Sequence, residues 1–256
     1  MPTSDVQSGT PTNGAPDSGD PRGSGPPPNV GSPAEGASNL RAPAEEPSAA
    51  QARLAVVFTN LLLSPLYRRF VDSLDLTGDE HVIDYGSGSG AAARHLVRRL
   101  PDGELTCVDV SARWLATAKR VLRRHHNVRY VLGDIRDSGL PSESFDLILI
   151  HWMFHDVPVG DRRPVLETLV ALLRPGGRIA FREPRAPSVM SDGEWIDPPE
   201  LHALLTAAGL ASVRWEAGWQ WLIGRYIAGV FVKPDAAEPD PMPSGRADPG
   251  ETPTDS

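Results

Sequence analysis

Val82-Ile83-Asp84-Tyr85-Gly86-Ser87-Gly88-Ser89-Gly90 is the stretch from which the rest of the chain is read. A short β-branched run ends in an acid, a loop with glycine at every second position follows, and an alanine-rich helix start comes next. Glycines at 86, 88 and 90 let the backbone turn sharply and let a ligand lie against bare main chain. Gly86 to Ala91 also satisfies the G-x-G-x-x-G/A fingerprint of dinucleotide sites, so the glycines alone leave the ligand open. The acid discriminates. A pyrophosphate sits on such a loop because helix N-terminal amides attract anions, and Asp84, two residues before the first glycine, would repel it. A ligand without phosphate and with positive charge suits an aspartate there.

Composition limits how much of the chain can fold around this stretch. The 256 residues carry a net charge of −8. Residues 1–50 hold ten prolines, seven glycines and almost no large apolar side chains, and residues 234–256 hold six prolines and six acids. Such segments bury too little apolar surface to offset their ordering entropy, so both read as disordered tails. Residues 51–233 suit one α/β domain. The tails carry more net negative charge than the whole chain, and the near-neutral remainder gives no electrostatic reason to expect nucleic acid as a partner. The basic cluster from Arg120 to Arg124 with His125 and His126 reads as the solvated end of a helix, where cations complement the dipole.

Cys107 is the only cysteine, which leaves no disulfide framework and no thiolate metal cluster, and no metal site is expected. This fits a reducing, cytoplasmic compartment. The N-terminal residues lack a basic start followed by an apolar run, and no stretch approaches the ~20 consecutive apolar residues of a membrane span.

Strands and helices alternate. Helices are expected from Ala52 to Leu63 and from Leu66 to Leu74, the second with a Leu66/Phe70/Leu74 stripe at four-residue spacing. The first strand is His81 to Asp84, and its helix, about 90–100, places Ala93, Leu96, Val97 and Leu100 on one face. The second strand is Leu105 to Asp109, followed by a helix capped by Ser111. The third runs from Val128 to Leu132. The fourth, Phe145 to Ile150, is a continuous apolar run expected for a strand covered on both faces. A helix at about 161–173, a strand from Arg178 to Phe181 and a proline-initiated helix that stops at Gly209 follow. Strands at Ala211–Glu216 and Tyr226–Val232 close the domain. The alternation predicts a doubly wound, mostly parallel α/β sheet.

Five landmarks occur in register: Asp84-x-Gly-x-Gly-x-Gly, Asp109 ending the second strand, Gly133-Asp134 ending the third, Phe145-Asp146 opening the fourth, and Leu173-Arg174-Pro175-Gly176-Gly177 before the fifth. Together they resemble the class I S-adenosylmethionine (SAM)-dependent methyltransferases over about residues 80–233. The resemblance implies a Rossmann-like, seven-stranded sheet whose last strand is antiparallel, with two N-terminal helices. It implies SAM as cofactor, a sulfonium and ammonium cation facing Asp84. The sequence from Phe145 through His151 and His155 to Pro158 looks like that of the small-molecule methyltransferases. An Asn/Asp-Pro-Pro-Tyr sequence after the fourth strand, the mark of enzymes acting on nucleic-acid bases or glutamine amides, is not seen.

By the same resemblance Asp84, Gly86, Ser87, Gly88 and Gly90 hold the methionyl end. Asp109, with Val110 beside it, accepts the ribose hydroxyls. Gly133, Asp134 and Ile135 receive the adenine, the carboxylate taking the exocyclic amine. His151 lines the methyl end, and His151 and His155 are the candidates for a general base. His155 reads more readily as a histidine that orders its loop. Tyr67, Arg182, Glu183, Trp195, Trp219 and Trp221 are candidates for an acceptor pocket, with Trp215, Trp219 and Trp221 as an aromatic cluster. Two alternatives stand beside methyl transfer to a small molecule. One is an NAD(P)-dependent oxidoreductase, opposed by Asp84 and by the lack of a Tyr-x-x-x-Lys pair, since 51–233 holds only Lys119 and Lys233. The other is a SAM-binding protein without turnover. The sequence gives no oligomeric state.

Overall fold

The computed structural model describes residues 48–186, 195–221 and 223–235. The expectations for the two tails lie outside these residues, except that a helix begins at Ala49, two residues before the expected domain start. That helix, α1 (Ala49–Val57), passes through a π-helical turn at Phe58–Leu62 into α2 (Ser64–Asp72). Of the expected stripe Phe70 and Leu74 are buried and Leu66 is half-buried, and Tyr67 and Val71 are buried beside them.

The strands are β1 (His81–Tyr85), β2 (Glu104–Asp109), β3 (Val128–Leu132), β4 (Phe145–His151), β5 (Leu173–Pro184), β6 (Ala211–Gln220) and β7 (Gly224–Val232). They form one seven-stranded sheet in the order β3-β2-β1-β4-β5-β7-β6. The first five pair in parallel, and β7 runs antiparallel to both β5 and β6. The chain winds outward from β1 to β3 and then crosses back to β4. The strand order therefore reverses between β1 and β4, and in open α/β sheets ligands bind at the carboxyl ends beside such a reversal.

The helices between these strands are α3 (Ala93–Leu96), α4 (Ala112–Val121), α5 (Val159–Leu172) and α6 (Pro198–Ala207). Ser111 caps α4 by accepting the Trp114 N–H at 3.2 Å, as expected from sequence. α3 is shorter than the expected 90–100 helix. Gly86, Gly88 and Gly90 all have positive φ, so helical geometry cannot begin until the loop has closed, and the last turn tightens to a 3-10 helix at Val97–Arg99. β5 begins earlier than expected. Its pairing with β4 jumps from Phe145↔Leu173 to Leu147↔Arg178, and the Pro175-Gly176-Gly177 turn forms an irregularity within the strand.

Two apolar layers sandwich the sheet. α2, α3 and α4 pack on one face against Val82, Leu105, Leu147, Leu149, Ala180 and Ala228. α5 and α6 pack on the other against Ile83, Val108, Ile148, Ile150, Ile179, Phe181 and Phe231. Adjacent residues of each strand therefore serve opposite layers, as the period of two requires. Leu147, Ile148 and Leu149 of β4 are fully buried, which accounts for the uninterrupted apolar run.

β7 sits between β5 and β6 with no room to spare at Gly229. A Cβ there would stand 2.8 Å from the Arg214 carbonyl oxygen and 2.8 Å from the Phe181 ring. Gly229→Ala is expected to lose about 1–3 kcal/mol of stability, the usual range for overpacking, measured as a lower denaturant midpoint at unchanged slope.

Candidate active site

The glycine loop is fastened to the end of β2. The N–H groups of Gly86 and Ser87 donate to the Val108 carbonyl at 2.9 and 3.1 Å. The Gly88 N–H donates to Asp109 Oδ2 at 2.7 Å, and the Ser111 N–H donates to Asp109 Oδ1 at 2.8 Å. Asp109 thus braces two loops. Ser87 and Ser89 are buried, and Ser89 Oγ lies 2.9 Å from Thr59 Oγ1, which seats the segment before α2 on the loop. A side chain at position 86 would run into Met153, so glycine there lets the loop after β4 close onto the loop after β1.

Asp84 lies at the floor of this loop, 2 % exposed. Burial raises its pKa to about 7, and the nearby charge of Asp109 adds to the rise against a backbone hydrogen bond from Ala93. Its Oδ2 has no hydrogen-bond partner. A buried carboxylate with one open oxygen is costly unless a donor or a cation meets it.

A row of polar side chains continues from Asp84 across the same face. Strand alternation puts Asp84, His151 of β4 and Arg182 of β5 beneath α2, and His151 and Arg182 are register partners. His151 is buried, and neither Nδ1 nor Nε2 has a hydrogen-bond partner. Its ring centroid lies 4.5 Å from that of Tyr67, 5.3 Å from Phe70 and 5.9 Å from Trp152. Burial first, and the Arg182 charge second, hold its pKa well below the usual histidine value, so the ring is neutral. Burial also raises the Tyr67 phenol, with Asp84 adding to the rise. The groove lined by Ser64, Arg68, Asp72, His95 and Arg98 shares none of these residues, and its ion pairs converge on Asp72. The site is therefore assigned by chemistry rather than by concavity.

Glu183, one residue after Arg182, faces the opposite layer and is fully buried. Its carboxylate accepts the N–H groups of Met153 at 3.0 Å, Phe154 at 3.0 Å and His155 at 3.2 Å, with His155 Nδ1 at 2.7 Å. His155 Nε2 lies 3.4 Å from Asp156. Both ring nitrogens of His155 thus face carboxylates in a side chain 1 % exposed. These contacts give the imidazole a part in ordering the loop. Sequence reasoning placed Glu183 in the acceptor pocket. Its position directly after Arg182 is the signal for the opposite side, because neighbouring strand residues alternate.

At the third strand, Gly133 has φ +125° and open space where a Cβ would be. Asp134 is ion-paired within its own loop. Arg136 reaches back to it, with Nε 3.0 Å from Oδ1 and Nη2 2.7 Å from Oδ2, and holds its pKa below the usual carboxylate range. Arg136 also bonds Asp161 at 2.8 Å. Ile135 is buried in the α5 layer, whereas Val110 is exposed. The tryptophan cluster separates. Trp215 packs on Phe181, Phe231 and His202, while Trp195, Trp219 and Trp221 are exposed.

If Glu183 and His155 form one structural unit, removing either should cost stability. Glu183→Ala strands buried donors and is expected to cost about 3–5 kcal/mol. His155→Ala should also lower the melting temperature, and the double variant should be barely worse than Glu183→Ala. A double-mutant cycle from denaturation curves measures this coupling.

Residues 82–177 match the family model described as a methyltransferase domain. The chain is 33% identical over 151 residues to a probable phthiotriol/phenolphthiotriol dimycocerosates methyltransferase of Mycobacterium ulcerans, covering 58% of this chain and 53% of that protein. It is 33% identical over 135 residues to the demethylmenaquinone methyltransferase of Tropheryma whipplei, covering 50% of this chain and 54% of that protein. The chain thus spans about half the length of these curated relatives. Among solved structures, the N-methyltransferase NodS of Bradyrhizobium japonicum, in complex with S-adenosylhomocysteine (SAH), superposes with a TM-score of 0.58 at 20% identity, covering 75% of this chain and 94% of that one. The [4+2]-cyclase SpnF superposes with a TM-score of 0.57 at 18% identity, covering 68% of this chain and 82% of that one. The matched segment, the strand order and the glycine loop agree: residues 82–177 resemble a methyltransferase domain, and the described residues share the fold of the class I methyltransferases.

Proposed function

We propose that this protein transfers a methyl group from SAM to a small-molecule acceptor. The observation that carries the reading is Asp84, a buried carboxylate with an unpartnered oxygen at the start of a loop of positive-φ glycines. The match to the methyltransferase domain supports it. The small-molecule methyltransferases among the curated relatives support the acceptor class.

The residues fit such a cofactor. Asp84 would meet its positive end, the glycine loop gives close approach of main chain, and Asp109, held at the end of β2 by the Gly88 and Ser111 N–H groups, would face the ribose. Adenine binding would fall to Gly133 and the exposed Val110. When bound, SAM supplies a methyl carbon that bonds to the acceptor as the carbon–sulfur bond breaks and its electron pair stays on sulfur.

The chain's own part is alignment and exclusion of water. α2 and the loop after β4 close over the row of Asp84, His151 and Arg182. His151, with its depressed pKa, is a poor proton acceptor. Its neutral ring is suited to holding an acceptor by a hydrogen bond, which makes it a positioning residue. Glu183 and His155 hold the loop on which this geometry depends. A second reading, SAM binding with a different reaction or none, is kept by the fold shared with a [4+2]-cyclase, because a fold does not fix a reaction. Labelled SAM incubated with the protein and a small-molecule extract separates the two by whether label moves to an acceptor.

Binding should depend on pH through Asp84. Between the unfolded carboxylate value of 3.8 and about 7, the folded apo protein holds the Asp84 proton more tightly than the unfolded chain does. Apo stability therefore falls as pH rises across that window and flattens above it. A cationic ligand needs the ionised form, so SAM affinity should rise with pH up to about 7, by at most about tenfold per unit. Asp84→Asn should bind SAM about 1–3 kcal/mol more weakly and remove the pH slope, measured by calorimetry from pH 5 to 7. Tight NADH binding with none for SAM would overturn the reading.

A further inference from the structure

Arg182 is buried and its Nε has no hydrogen-bond partner; among the described residues it makes no salt bridge. Its guanidinium carbon lies 4.3 Å from the Phe70 ring centre and 4.8 Å from that of Tyr226. Two rings therefore lie against the guanidinium, and its Nε–H is left for a ligand. Burial lowers the Arg182 pKa, and the nearby Tyr226 and Glu216 only partly oppose this. A desolvated cation without an anion is a standing cost to the fold. On the same face stand the neutral His151 ring, with both nitrogens unpartnered, and Tyr67 stacked against it.

We propose that Arg182 is the receptor for an oxyanion, a carboxylate or an ionised hydroxyl, on a planar aromatic or enolic methyl acceptor. The inference rests on the methyltransferase reading above and adds the acceptor's chemistry to it. A guanidinium packed against two rings presents a fork of donors that matches two oxygens, with little orientational freedom left to lose on binding. The walls of Tyr67, Phe70 and Tyr226 suit a flat ring. An acceptor that enters ionised needs no strong base, which agrees with the weak basicity of His151. The methionyl carboxylate of SAM has the same chemistry. β5 stands two strands from β1, roughly 10 Å across the sheet, which places Arg182 on the acceptor side of the glycine loop.

The test uses the full chain saturated with SAH. Calorimetry compares 2-hydroxybenzoate with its neutral analogue 2-hydroxybenzamide in the wild type, Arg182→Lys and Arg182→Met. The wild type should bind the benzoate at least tenfold more tightly than the amide. Arg182→Met should abolish that preference and Arg182→Lys should keep part of it, with SAH affinity unchanged within twofold in both. The melting temperature of apo Arg182→Met should equal or exceed that of the wild type, because an uncompensated charge is gone and the stem still packs. An absent preference, or one that survives in Arg182→Met, overturns the proposal. So does a fall in SAH affinity in Arg182→Met, which would assign the guanidinium to the donor's carboxylate. A lower melting temperature with unchanged ligand binding would make Arg182 a packing residue and also overturns it. Failure of SAH to bind the wild type would remove the methyltransferase reading and this inference together.

Discussion

Successive residues of a strand point to opposite faces, and the site is built on that constraint. Asp84, His151 and Arg182 fall on the face covered by α2, each at or near the carboxyl end of its strand. Glu183 falls on the other face, where it fastens the loop after β4 from below. A one-residue slip of β5 against β4 would exchange these two residues. The fastening carboxylate would then stand in the site and the guanidinium would be buried in the apolar layer beneath α5 and α6. The apolar layers prevent this slip, because it would also turn Ile179 and Phe181 away from α5 and α6.

Burial then gives the polar row its chemistry. In water Asp84 would be an ordinary carboxylate, His151 an ordinary imidazole and Arg182 a solvated cation. Beneath α2 each is held away from its usual protonation equilibrium in the direction of the neutral form. The fold tolerates these groups because the two layers around them are almost wholly apolar and supply the stability. Such a stretch of uncompensated polarity beside apolar layers marks a place suited to receive charged ligands. The two open charges have opposite signs and stand on β1 and β5, with the neutral His151 between them.

The loop after β4 is the hinge of the arrangement. Trp152 adopts φ +56°, a conformation unfavourable for a bulky residue, and the following three N–H groups converge on one carboxylate. The converging hydrogen bonds offset that strain and bring Met153 over Gly86, so the loops after β1 and β4 are shaped against each other. A histidine in this loop invites a catalytic reading, yet His155 serves the loop itself.

Much of the architecture was legible in the residues. The Asp84-x-Gly-x-Gly-x-Gly stretch, the Ser111 cap, the apolar run of β4 and the proline and glycine that bound α6 are local signals, and each depends on backbone stereochemistry or on strand and helix periodicity. They determined the strand order of events, the glycine loop and the likeness to a methyltransferase. Helix α3 was read too long because a pattern of apolar spacing does not record that three positive-φ glycines delay the first helical turn. Asp134 was read as free because the reach of Arg136 back onto it is a matter of side-chain path. The partnership of Glu183 with three N–H groups about thirty residues away, and the stacking of Arg182 between Phe70 of α2 and Tyr226 of β7, arise only when distant elements meet. Local sequence can specify which face a residue takes, but which charges are left desolvated and unpaired was decided by tertiary packing, because desolvation depends on everything that surrounds a group.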